Sequence, residues 1–142
     1  MVEAGTVRRL LEIIERRLAR LEQAAGVSLE AYEEDPDLQD IVERNLELCI
    51  QGCIDLGLHI LADFSAPLPE TNRGVFRALR REGLIPDDLS ERLERMAGFR
   101  NVLAHGYADL ITERVHSTLT ELGDIRGYVQ SLERRLEGPR TG

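Results

Sequence analysis

The sequence predicts an all-α fold, an up-and-down bundle of four main helices and one short one, and three observations carry that expectation. Apolar residues recur at intervals of three and four through most of the 142 residues. No stretch sustains the alternation of period two that marks a half-buried strand. The interruptions are brief and fall at glycine, proline or acidic clusters, as the connections of a bundle do.

The first helix is expected over residues 5–25, where Val7, Leu10, Leu11, Ile14, Leu18 and Leu21 form one face and arginine and glutamate fill the other, until Gly26 stops it. Residues 27–36, acidic and broken by Pro36, read as a connector. A long helix follows from about Asp37 to Asp63, with Ile41, Val42, Leu46, Cys49, Ile50, Cys53, Ile54, Leu56 and Ile60 on a wide apolar face. Gly52 and Gly57 weaken it by roughly 1 kcal/mol each relative to alanine. They are therefore expected to admit a close neighbour, from this chain or from a second subunit. In SAPLPETN, Pro67 and Pro69 forbid helix. A short helix over Arg73–Arg81 ends at Gly83, and Pro86 suits the first turn of the next, which carries Leu89, Leu93, Met96, Phe99 and Leu103 until Gly106 closes it. Asp109 is placed to cap a last helix over Leu110–Leu136, whose face includes Ile111, Val115, Leu119, Leu122, Ile125, Val129, Leu132 and Leu136.

The length suits one domain over residues 1–142, and 42% hydrophobic with 31% charged residues excludes a disordered chain. No apolar run approaches the roughly 18 residues of a membrane span. Charge breaks up the amino-terminal residues too often for a signal or transit peptide, so a cytoplasmic protein is expected. Cys49 and Cys53 give neither a disulfide framework nor a zinc pattern and read as core residues on one helix face. All 18 basic residues are arginine. The net charge of −8 is uneven: residues 26–70 hold one arginine against eleven acids, whereas residues 71–100 hold seven arginines against five. A protein that coats a long duplex needs a broad cationic footprint and is excluded. A small site gripping one or two phosphates is not.

The most pointed local pattern is FRNVLAHGY, residues 99–107, in which Arg100, His105 and Tyr107 fall where a helix is expected to end. Arg100 can fork two hydrogen bonds onto a phosphate and stabilise charge that builds there. His105 titrates near neutrality and can take a proton from a ribose 2′-hydroxyl or give one to a leaving oxygen. Such a reaction requires no metal, because RNA supplies its own nucleophile, and no cofactor is implied. Five residues advance a helix by roughly 500°, leaving the two side chains about 140° apart. They converge if Arg100 reaches around, if the helix loosens before Gly106, or if a symmetric dimer joins two copies. Asn101 shares the face of His105 and can orient the imidazole. The opposing reading has Arg100 bridging Glu94 or another acid and His105 merely ending the helix.

FRNVLAHGY resembles the signature of the HEPN superfamily, and in particular of the HepT toxins that pair with MntA-type nucleotidyltransferase antitoxins. QGCIDLGLHI, residues 51–60, is similar to that family's long second helix. ETNRGVFRALRREGLI, residues 70–85, followed by LERMAGFRN, resembles its loop, short helix and approach to the motif, so the likeness covers about residues 5–136. One departure is Gly52, which stands where the family pattern has alanine. The resemblance implies a toxin-type ribonuclease acting as a homodimer on an RNA substrate, with Arg100, His105 and Asn101 as catalytic residues. It implies further that a nucleotidyltransferase antitoxin modifies Tyr107 with adenylate. The alternatives are a non-catalytic HEPN module that binds nucleotide or a partner, and a structural helical adaptor.

Two weaker features remain. Gln51, Asp55 and His59 form a polar stripe, read either as a layer holding Arg100 or His105 in place or as an exposed or subunit-facing stripe. Arg73, Arg77, Arg80 and Arg81 either extend a path for an RNA backbone or make a solvated face, as His116 with Glu113 and Thr120 is expected to do.

Overall fold

The computed structural model describes residues 4–105 and 108–137, and every regular element in them is helical. In chain order these are α1 (Ala4–Ala24), α2 (Leu29–Glu33), α3 (Pro36–Asp63), α4 (Asn72–Arg81), α5 (Asp87–His105), α6 (Ala108–Thr118), a 3-10 turn (Leu119–Glu121) and α7 (Leu122–Glu137). No helix among the described residues is long and apolar enough to cross a membrane.

The caps explain where the helices start. Asp35 accepts from the Leu38 amide at 3.1 Å with Pro36 in the first turn of α3, and Thr71 accepts from the Gly74 amide at 3.0 Å at the head of α4. Ser28 does the same for α2, so the expected connector contains a helical turn, and it exists because Tyr32 on its inner side is fully buried. Gly83 takes φ +73° after α4, as its position in the sequence implied, with the Leu84 amide donating back to Leu79 O at 2.9 Å.

The last expected helix, 110–136, is divided. Helix begins at Ala108, so Asp109 lies inside its first turn instead of ahead of it. At the division, Thr118 Oγ1 donates to Arg114 O at 2.8 Å and Thr120 Oγ1 to Ser117 O at 2.7 Å. Hydroxyls that claim backbone carbonyls bend a helix, and here they tighten it into a 3-10 turn. His116, expected on a solvated face, is half-buried: its Nε2 lies 2.7 Å from Val27 O and its ring 5.8 Å from that of Tyr32, which clamps α6 to α2. Tyr32 Oη is buried without a hydrogen-bond partner among the described residues. Its pKa is pushed up, first by burial and then by Glu43 and Asp40.

α3 is the spine, with buried residues from Val42 to Leu61. α1 lies along one side of it through Ile14, Leu18 and Leu21, while α4 and α5 pair with each other against another side and α7 closes over α5 and α1. Both α3 glycines serve this packing, and their close neighbours come from the same chain. A Cβ at Gly52 would stand 3.0 Å from Ile14 Cγ1 of α1. At Gly57 it would crowd Val75 of α4 and lie 2.9 Å from Tyr128 Oη of α7 and 3.1 Å from Leu79 Cδ1. Tyr128 uses the space to donate to Cys53 O at 2.7 Å, with Phe76 edge-on to its ring at 5.3 Å. Cys49 and Cys53 are buried and free, and the Cys53 thiol is held protonated, first by its hydrogen bond with Cys49 and then by burial, so it is no nucleophile.

Gly57→Ala is therefore expected to lower stability by about 1–2 kcal/mol, because overpacking outweighs the helix propensity gained. Gly52→Ala, whose Cβ would meet Ile14 and Ile13 of α1 but no second helix, is expected to cost less than Gly57→Ala and to stay within about 1 kcal/mol of the parent. Urea denaturation of both variants checks the contrast.

Candidate functional site

α5 owes its position to an inward face of Leu89, Ser90, Leu93, Met96, Ala97 and Phe99, all buried. Arg100 follows Leu93, Met96 and Ala97 at seven, four and three residues, so it continues this inward face. It is half-buried, and its Nε is enclosed with no hydrogen-bond partner among the described residues. Leaving a buried donor unmet costs on the order of 1–3 kcal/mol, and groups left so in native proteins call for a functional explanation. His105, the last residue of α5, is exposed, as is Asn101 four residues before it. The helix stays regular to His105, so the motif is divided: a guanidinium rooted in the bundle and an imidazole at its surface, about 140° apart around one axis.

The opposing reading named Glu94 as a partner for Arg100. Glu94 is taken by Arg77 of α4 instead, with Arg77 Nη2 at 2.7 Å and Nε at 3.2 Å from the same carboxylate oxygen. Gly106 and Tyr107 lie outside the described residues. The polar stripe on α3 closes on itself: Gln51 Nε2 donates to Asp55 Oδ1 at 2.9 Å, both residues are half-buried, and His59 is exposed. Among the described residues no hydrogen bond joins the stripe to Arg100 or His105.

One contact that sequence reading did not anticipate braces the motif. The Arg114 guanidinium of α6 lies over the Phe99 ring, 4.8 Å from its centroid, and so ties α6 to the first residue of FRNVLAHGY. The two residues are far apart in sequence and belong to no shared periodic pattern, so nothing local announced them. Beside them opens a cleft of about 190 Å³ walled by Arg92, Arg95, Phe99, Arg114 and Asp124. Arg92 is occupied there by Asp124 at 2.8 Å, and neither Arg100, Asn101 nor His105 lines the cleft. It is not the site the motif defines.

Residues 14–132 match the family described as "Ribonuclease HepT-like". The mRNA nuclease HepT of Shewanella oneidensis is 31% identical over 121 residues, covering 84% of this chain and 90% of that protein. The tRNA nuclease HepT of Aphanizomenon flos-aquae is 29% identical over 119 residues, 84% of this chain and 81% of that one. Among solved structures, the tri-AMPylated HEPN toxin of Shewanella oneidensis in complex with MNT antitoxin superposes with a TM-score of 0.83 at 27% identity, over 92% of this chain and 98% of that one.

The enclosed Nε of Arg100 has a consequence for stability. Arg100→Met keeps the length of the side chain and removes the unmet donor, so thermal unfolding is expected to show a variant at least as stable as the parent, by up to about 1 kcal/mol. A clear loss of stability would show that Arg100 holds the bundle together.

Proposed function

This chain belongs to the HepT-like ribonuclease family, and from that premise we propose that it is the toxin of a toxin–antitoxin pair, an endoribonuclease that works in the cytoplasm without a metal. The observation that carries the reading is the intact Arg100, Asn101 and His105 at the end of α5, followed in the sequence by Tyr107, within a family match that spans residues 14–132. The relatives' names point the same way, one an mRNA nuclease and one a tRNA nuclease.

In the proposed reaction an imidazole takes the proton of a ribose 2′-hydroxyl, and the freed oxygen attacks the adjacent phosphorus. The bond to the 5′-oxygen breaks, a second group protonates that oxygen, and the products are a 2′,3′-cyclic phosphate and a 5′-hydroxyl end. Arg100 forks onto the non-bridging oxygens, where negative charge grows in the transition state. Asn101, one helical turn before His105, steadies the ring. The separation of about 140° favours a homodimer in which two motifs face one cleft, one His105 serving as base and the other copy's as acid.

Control is proposed to lie with an MntA-type nucleotidyltransferase that transfers adenylate to Tyr107. In support, the solved Shewanella relative is AMPylated and bound to MNT antitoxin. A phosphate-bearing adduct near Arg100 would fill the anion site and repel RNA.

Expressed alone, the wild type should arrest growth and cut RNA in the presence of chelator. Loss of roughly 10²–10⁴ in rate is expected for His105→Ala and of about 10²–10³ for Arg100→Ala. If folded wild type and variants behave alike, the chain is a non-catalytic HEPN module that binds nucleotide or a partner. If chelator abolishes cleavage, the metal-free mechanism is wrong. Co-expression with the antitoxin should add adenylate masses to the intact protein, and Tyr107→Phe should remove them.

A further inference from the structure

α4 and α5 meet through a short antiparallel ladder in which two arginines of α4 have different fates. Arg77 is spent on Glu94, whose side chain is only 14% exposed. One turn earlier on α4 and one turn later on α5, Arg73 lies over Gly98. A Cβ at Gly98 would collide with the Arg73 guanidinium, with Cζ and Nε both at 2.8 Å. The Nε–Nη2 edge of the guanidinium therefore lies against the α5 backbone in space that only glycine leaves open. Arg73 is exposed, and among the described residues no carboxylate or carbonyl accepts from it.

The seat is on a meaningful side of α5. Gly98, Asn101 and His105 follow one another at three and four residues, so they share a face, with Gly98 two turns, or about 10 Å, behind His105. Arg100 points to a different side. A second cation with its donors unspent thus stands in line with the surface imidazole, within the arginine-rich segment 71–100 of a chain that is otherwise acidic.

We propose that Arg73, seated on Gly98, is a further RNA-binding residue that holds a backbone phosphate flanking the scissile one. This rests on the ribonuclease reading above and extends it. It also divides the four arginines of α4, assigning Arg77 to the fold and Arg73 to the substrate. Its contribution is to binding: one more phosphate contact releases one more counterion and leaves the chemical step unchanged.

The test is cleavage of a short single-stranded RNA by the full chain at several salt concentrations. Arg73→Gln is expected to raise KM about tenfold with kcat within twofold of the parent. It should also reduce the slope of log KM against log salt by about 0.7, the value for one phosphate on a single strand. Gly98→Ala keeps every charge but unseats the guanidinium, and a several-fold rise in KM is expected. Arg77→Gln should leave KM and the salt slope unchanged. If Arg73→Gln retains the parent KM and slope while Arg100→Ala and His105→Ala abolish cleavage, the proposal is wrong and the ribonuclease stands. If only Gly98→Ala matches the parent, Arg73 binds RNA without the seat and the proposal fails as stated. Wild type that cuts no RNA overturns both.

Discussion

The close approach at Gly57 governs this bundle, because that one missing methyl lets Val75, Leu79 and Tyr128 converge on α3 from two other helices. Tyr128 then reaches the α3 backbone and donates to Cys53 O, a bond inside the core between residues 75 apart in sequence. A buried phenol must find such a partner or forfeit the hydrogen bond it had in water. By fixing α7 and α4 on α3, the contact also fixes α5, which packs on both and carries the motif.

Within that frame the site departs from economical packing. A position that the helical period assigns to the core is filled by Arg100, and part of its guanidinium is enclosed with nothing to donate to. An apolar residue would suit the bundle better. Electrostatic stabilisation of a transition state benefits from donors held in place before charge appears, and a guanidinium gripped by packing is such a donor. His105, at the exposed end of the same helix, keeps the solvent contact that its proposed proton transfers require. The two proposed roles call for different environments, and five residues of one helix provide both.

Much of this was legible in the sequence. Val7, Ile14, Leu18 and Leu21, and the apolar residues of α3, α5 and α7, gave the helices through their spacing, and their burial largely follows it, although Ile41, expected on the apolar face of α3, is 53% exposed. Gly83 marked a stop because its backbone chemistry is local, whereas Pro36, read as breaking the connector, is the first residue of α3. The boundaries that were misplaced depended on the third dimension. α2 exists because Tyr32 and His116, far apart in sequence, meet across it. The division after Thr118 reflects hydroxyls competing for carbonyls, where the apolar spacing continues without a break. At the site, the spacing of Arg100 and His105 gave their angular separation. The occupation of Glu94 by Arg77 and the stacking of Arg114 on Phe99 had no local signature.

The dependence of the core on Tyr128 also bears on how the protein is made. α3 and α5 emerge from the ribosome well before α7, and until then the pocket at Gly57 has no plug and the Cys53 carbonyl no phenol. The motif on α5 is synthesised before the structure that holds it is complete. A nascent chain stalled short of Gly127 carries every residue of FRNVLAHGY on an unfinished scaffold. Completion of the site's scaffold is thereby tied to the synthesis of α7.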